Sequence, residues 1–261
     1  MCVAVYALAG CVSIDSAPVA SDSAPGVADS TPTPDVPRNT LDSWPQDGRP
    51  VFIGFANRLL DREQEVAAAL QNAAEQIVRF EHLTAVYQYV SQTDGRRTGS
   101  VDAVSTQWDE ARAAGLVDSL EVIGREQTHD GTRVTVLGNQ ALSGAVQPAP
   151  GSSGSRSEPA WVTQPPVIPG YIVGVGAAQR RRSMTESFAA ADERALVDIL
   201  LQTNATVRLL DESRTRARST ETLTTVAQDA SAELTGFLVL ARYMSPNGRT
   251  FHSLAIAVEG P

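Results

Sequence analysis

The densest run of chemically useful side chains is Arg180-Arg181-Arg182, followed by Ser183-Met184-Thr185-Glu186. Three guanidiniums just ahead of a helix meet the unpaired amides of its first turn, where the helix dipole is also positive. That arrangement suits a phosphate or a carboxylate, held through charge-assisted and often bidentate hydrogen bonds. A diluted version stands earlier in the chain, where Asn57-Arg58 and Arg62 occupy a similar turn. The plain alternative is a solvated turn. Arg214, Arg216 and Arg218 alternate with Ser and Thr and read as an exposed loop or strand.

The other reactive residue types point away from catalysis. Gly174-Val175-Gly176 follows an apolar run, but the third glycine of a dinucleotide loop is replaced by Gln179 and no acidic residue closes a second strand about 20 residues on, so it reads as a strand end. His82, His129 and His252 have no helical partner at metal-ligand spacing. Cys2 and Cys11 are the two cysteines, so the body of the chain offers no disulfide, thiolate metal site or cysteine nucleophile. All 21 basic residues are arginine, which rules out lysine Schiff bases and a P-loop lysine. No Gly-x-Ser-x-Gly elbow is present. The expectation is a chain that is not an enzyme and takes no metal or cofactor. The net charge of −9 argues against a general nucleic-acid binder, which needs a basic surface to release counterions.

The elements that would position the arginines occur twice. VFIGFANRLLDREQEVAAALQNAAEQIV, from Val51, and YIVGVGAAQRRRSMTESFAAADERALVDILL, from Tyr171, are each a glycine-bearing apolar run followed by an Ala-rich helix. Gly54 aligns with Gly174 at a shift of 120, and Val66, Ala69, Ala73 and Ile77 align with Phe188, Ala191, Ala195 and Ile199 at 122. Trp44 and Trp161, Arg125 and Arg242, and Gly131 and Gly248 are each 117 apart. A period this long fits a small domain copied once rather than a solenoid unit.

Boundaries follow from composition. Residues 12–43 are rich in Ser, Ala, Pro and Asp and read as a flexible tether, spanning about 30 Å if coil-like. The first copy runs over 44–139: strand 51–56, helix from Asp61 as N-cap to Glu81, strand 84–91, a polar helix over 101–114, then a hairpin turning at Asp130-Gly131. A Pro/Gly/Ser linker covers 140–160. The second copy covers 161–259: strand 171–176, helix 184–203, strand 205–210, a polar helix around 220–232, and a hairpin turning at Asn247-Gly248. The expected fold is α+β, two tandem units of order β-α-β-α-β-β, each with a long helix on a mainly antiparallel sheet.

Two resemblances add to this. Residues 1–11 are apolar and end in Leu8-Ala9-Gly10-Cys11, which is similar to the lipobox that closes bacterial lipoprotein signals. The resemblance implies lipid attachment at Cys11, loss of residues 1–10 and a membrane partner through the anchor. The Trp161-Val162 start, the GVG strand, the spaced alanines Ala190, Ala191 and Ala195, and the hairpin from Arg242 to Gly248 resemble the Lpp-twenty-type bacterial lipoprotein domain, itself related to a module of flagellar outer-membrane ring proteins. The likeness covers the second copy well and the first more weakly. It implies a non-catalytic outer-envelope lipoprotein, of the flagellum- or surface-associated kind, that binds or scaffolds envelope proteins. The alternative is a binding module for an anionic small molecule or glycan at Arg180, Arg181 and Arg182.

Overall fold

The computed structural model describes residues 40–93, 98–148, 158–203, 205–216 and 219–258, with the backbone alone at 92–93, 98–99, 205–216 and 219–226. Cys11, the signal segment, the tether up to residue 39 and linker residues 149–157 lie outside the described residues. The described residues all fall in one unit spanning 38–261.

The last residues of the stretch read as a tether form a strand, β1 (Thr40–Asp42). The apolar run VFIGFAN is β2 (Val51–Asn57). Helix α1 (Arg62–Glu81) follows, with Asp61 as its N-cap accepting from the Glu63 amide at 2.8 Å. Its buried stripe of Ala69, Ala73, Ala74, Ile77, Val78 and Phe80 lies where the helical spacing of apolar residues places it. Then come β3 (Leu83–Thr93), β4 (Thr98–Gln107), the short α2 (Glu110–Leu116), β5 (Glu121–Gln127) and β6 (Gly131–Leu137). The second half holds β7 (Tyr171–Gln179), α3 (Met184–Thr203), β8 (Ala205–Arg216), β9 (Ser219–Leu234), β10 (Leu238–Met244) and β11 (Thr250–Val258). The fold is α+β, with three antiparallel sheets ordered β2-β6-β5, β1-β10-β11-β7 and β4-β3-β9-β8.

Two expected helices are strands. The segment read as a helix over 101–114 is β4 as far as Gln107, and the helix begins only at Glu110. The segment around 220–232 is all strand, within β9. The reason is tertiary. β4 pairs with β3 from Thr84↔Gln107 to Thr93↔Thr98, and β9 is sandwiched between β3 and β8. A ladder filled on one or both sides, with Val and Thr suited to a pleated surface, outweighs the weak helix preference of a polar run. The order is therefore β-α-β-β-α-β-β in the first half and β-α-β-β-β-β in the second.

The halves match in register. Helices α1 and α3 start and end 122 residues apart, and β3 and β8 start 122 apart. The sheet orders β2-β6-β5 and β7-β11-β10 are alike, and the bulges in β5 (Val122/Gly124) and β10 (Val239/Ala241) lie 117 apart.

The glycine alignment differs from the sequence expectation. A Cβ on Gly54 would lie 2.1 Å from the Ala69 carbonyl oxygen, and one on Gly176 would lie 2.0 Å from that of Ala191. Ala69 and Ala191 are themselves 122 apart, so Gly54 corresponds to Gly176 and not to Gly174. Gly176 is therefore the point of closest helix-to-sheet approach, where only glycine leaves room. Likewise Gly131 pairs with Asn57 and Thr250 with Gln179, so Gly131 corresponds to Thr250; Gly248 belongs to a longer turn.

The largest core cluster draws on both halves, joining Trp44, Phe52 and Phe80 to Trp161, Leu240, Tyr243 and Ile256. A second cluster under α3 sets Leu83 and Tyr87 against Leu196, Ile199, Leu200 and Leu234.

Candidate functional site

The three arginines sit in the turn between β7 and α3. The Arg180 amide donates to the Arg249 carbonyl at 2.8 Å, and the Arg181 amide donates to Ser187 Oγ at 2.8 Å. Ser183 Oγ accepts from the Glu186 amide at 3.1 Å and caps α3, while Ser187 Oγ donates to the Ser183 carbonyl at 2.6 Å. The backbone is thus pinned while all three side chains remain exposed. Arg180 Nη1 reaches the Gly248 carbonyl at 3.4 Å. The arginines rim a hollow of about 760 Å³, open to solvent, whose other walls are Ala177, Ala178, Gln179, Glu186, Ala190, Glu193 and Arg194.

The matching turn of the first half shows what this one lacks. Glu65 lies 122 residues before Ser187 and takes the same backbone bond, from the Leu59 amide at 3.1 Å. It is fully buried, pairs with Arg62 at 2.5 Å, lies 4.0 Å from Arg58, and accepts from Thr132 Oγ1 at 2.6 Å. One carboxylate thus gathers the cations of the first turn. With serine at the corresponding position, Arg180, Arg181 and Arg182 make no ion pair among the described residues. The second turn can therefore receive an external anion.

Burial pushes the Glu65 carboxyl up, but hydrogen bonds from Thr132 and the Leu59 amide, with the charge of Arg62, outweigh it and hold the group below its ordinary 4.5. The unfolded chain therefore binds the proton first on acidification. Stability from Glu65 is present above pH 4.5 and is lost as pH falls through the lower folded value. We expect Glu65→Gln to lower the melting temperature at pH 7 and to flatten the fall in stability below pH 4.5; a parallel fall in both proteins would contradict this role for Glu65.

A second polar cluster escaped the sequence reading. Arg242, 1% exposed, donates from Nε to Asp192 Oδ1 at 3.0 Å and from Nη2 to Oδ2 at 2.8 Å. Ser253 Oγ donates to the same carboxylate at 2.5 Å, and Arg242 Nη2 reaches Gln76 Oε1 on α1 at 3.5 Å. The guanidinium also lies 5.1 Å from the Phe55 ring centroid. The signal in the sequence was a carboxylate inside an apolar helical stripe, Asp192 four residues after Phe188. Its chemistry is structural: both carboxylate oxygens are occupied by protein donors.

The histidines sit apart: His82 caps the end of α1, His129 stands in the β5–β6 turn 3.0 Å from Asp130, and His252 is on β11. Burial lowers the His252 pKa, partly opposed by the charge of Glu158. Among the described residues no group of three His, Cys, Asp or Glu side chains could hold a metal ion, and no helix is long and apolar enough to cross a membrane. The chain matches no family model, no curated protein and no solved structure at a significant level.

Proposed function

We propose that this chain is a non-catalytic module of the bacterial cell envelope, anchored by lipid at Cys11 and built from two copies of one α+β unit, that binds or scaffolds other envelope components. The likeness to the Lpp-twenty-type lipoprotein domain belongs to this proposal. The duplication is supported by the shared 122-residue spacing and the like sheet orders. The observation that carries the binding role is apolar surface on strand edges: Val101 on β4 is 64% exposed, and Val122 and Ile123 on β5 are 41% and 42% exposed. Exposed apolar side chains beside unpaired backbone groups offer a polypeptide both burial and hydrogen bonds. Mass spectrometry of the N-terminal peptide tests the anchor. A diacylated Cys11 as the first residue is the expected outcome, and an unmodified Cys11 within a full-length chain rejects it.

A second reading is favoured by the hollow at Arg180, Arg181 and Arg182, which suits a phosphate- or carboxylate-bearing small molecule or glycan. Three adjacent like charges also oppose the positive end of the α3 dipole, so they are unfavourable for folding alone. Replacing all three with Ser is expected to leave the melting temperature equal or slightly higher. It should also weaken capture of the acidic partner, most at low ionic strength, where exposed charges are least screened. Equal capture by the triple variant at low salt removes this site.

A further inference from the structure

We propose that the chain assembles with further copies of itself, the outer edge of β8 pairing with the outer edge of β4 of the next molecule. This rests on the reading of the chain as two copies of one scaffolding unit. The β4-β3-β9-β8 sheet joins two hairpins, β3–β4 from the first half and β8–β9 from the second. They meet head to tail: the first strand of one hairpin, β3, pairs with the second strand of the other, β9. A two-fold junction would instead have paired β3 with β8 or β4 with β9. Head-to-tail junctions repeat, closing into a ring or growing into a filament. The edges left over are complementary, because β8 is a first strand and β4 a second strand. The directions also agree, since every neighbouring pair in the sheet is antiparallel.

Short length, proline and bulges, three devices that discourage such pairing, are not used on these edges, and β4 carries a single charge, Asp102, against the mixed charges of β8. β4 and β8 are 10 and 12 residues long, neither contains proline, and their ladders run without a bulge. An independent observation lies on another sheet. Val122 and Ile123 of β5 stand 117 residues before Val239 and Leu240 of β10, at the matching bulge. The pair on β10 is 7% and 0% exposed, Val239 packed in a cluster with Leu83 and Tyr87 and Leu240 in one with Trp44, Phe52 and Phe80, all of the first half, whereas Val122 and Ile123 lie open. The operation that sets the first half on the second would set the second half of one molecule on the first half of the next. It would thereby cover β4 and β5 together.

The register follows from the internal junction. Val90 pairs with Ala227, and moving both by 122 sets Glu212 opposite Ser105 of the next copy. Within one chain Ser105 lies level with Ser231 and Glu212 with Leu223, so the two are three strand spacings apart, roughly 14 Å, and also eight residues apart along the strands, well beyond the reach of a disulfide. The test uses the full chain with Cys2→Ser and Cys11→Ser, so that engineered thiols stand alone. Under mild oxidation, Ser105→Cys with Glu212→Cys is expected to give a ladder of disulfide-linked multimers. A mixture of the two single variants should stop at dimers containing one of each. Each single variant alone should remain uncrosslinked, and Val101→Arg should reduce multimer mass in sedimentation. Monomers throughout, in variants whose melting curves show a folded chain, overturn the proposal, as does efficient crosslinking of Ser105→Cys to itself. The mass of the Cys11 peptide from the natural chain stands apart from these results, so failed assembly and a failed envelope anchor are told apart.

Discussion

Gly176→Ala is expected to destabilise the protein by about 3 kcal/mol, at or beyond the usual range for overpacking. The added methyl would lie 2.0 Å from the Ala191 carbonyl oxygen and 2.3 Å from the Ala195 amide nitrogen. Both are backbone atoms, so no rotamer change relieves the clash and α3 must lift from β7. Gly54→Ala meets the same obstacle against Ala69 and Ala73 and should behave alike. Leu at Ala73 or Ala195 pushes the same contact from the helix side, at roughly 1–3 kcal/mol. For a chain of this size, about 3 kcal/mol should appear as a fall of roughly 6–12 °C in the thermal midpoint. Gly115 provides the control, since a Cβ there meets nothing within 4 Å and the residue lies inside α2. Gly115→Ala should be neutral or stabilising by up to about 1 kcal/mol. A Gly176→Ala protein that melts with the wild type contradicts the close helix-to-sheet approach.

Asp192→Ala is expected to cost about 3–5 kcal/mol, because it strands a guanidinium that is 1% exposed. Arg242 loses all its bonds to the carboxylate, keeping as a hydrogen bond only the 3.5 Å contact with Gln76, and Ser253 loses its acceptor. Replacing both partners at once, as Asp192→Leu with Arg242→Met, removes the buried charge along with its counterion. The double variant should therefore be much closer to wild type than Asp192→Ala, a non-additivity visible in denaturant titrations. Arg242→Lys should not rescue the pair, since an ammonium cannot make the two parallel bonds of the guanidinium. Equal losses in the single and double variants would show that the cluster acts through packing alone.

Much of this molecule could be read from local pattern. The apolar spacing of α1 and the capping carboxylate of Asp61 located that helix, and Met184–Thr203 emerged with the bounds its alanine stripe suggests. Asp130-Gly131 and Asn247-Gly248 marked the hairpins that became β5–β6 and β10–β11. These are short-range signals, set by a 3.6-residue period or by the backbone freedom of a turn, and they survive in any tertiary setting. The exposure of Arg180, Arg181 and Arg182 was equally legible, because a run of three cations is hard to bury.

What the tertiary structure alone decided involves partners far apart in sequence. β4 and β9 read as polar helices until β3 and β8 stand beside them, since a strand's stability comes from its neighbours more than from its own residues. Glu65 finds Thr132 across 67 residues and Asp192 finds Arg242 across 50, so neither carboxylate could be told from a surface one by spacing. The open charge of the Arg180 turn likewise depends on Ser187 standing where Glu65 stands in the first half; the 122-residue helix alignment pairs the two positions, but that Glu65 turns inward and gathers Arg58 and Arg62 is decided in space. The same holds for Val122-Ile123 and Val239-Leu240: similar residues at a matching bulge, one pair open and the other buried in the two large core clusters. Burial is a property of what packs on a strand, and the strand's own sequence does not record it.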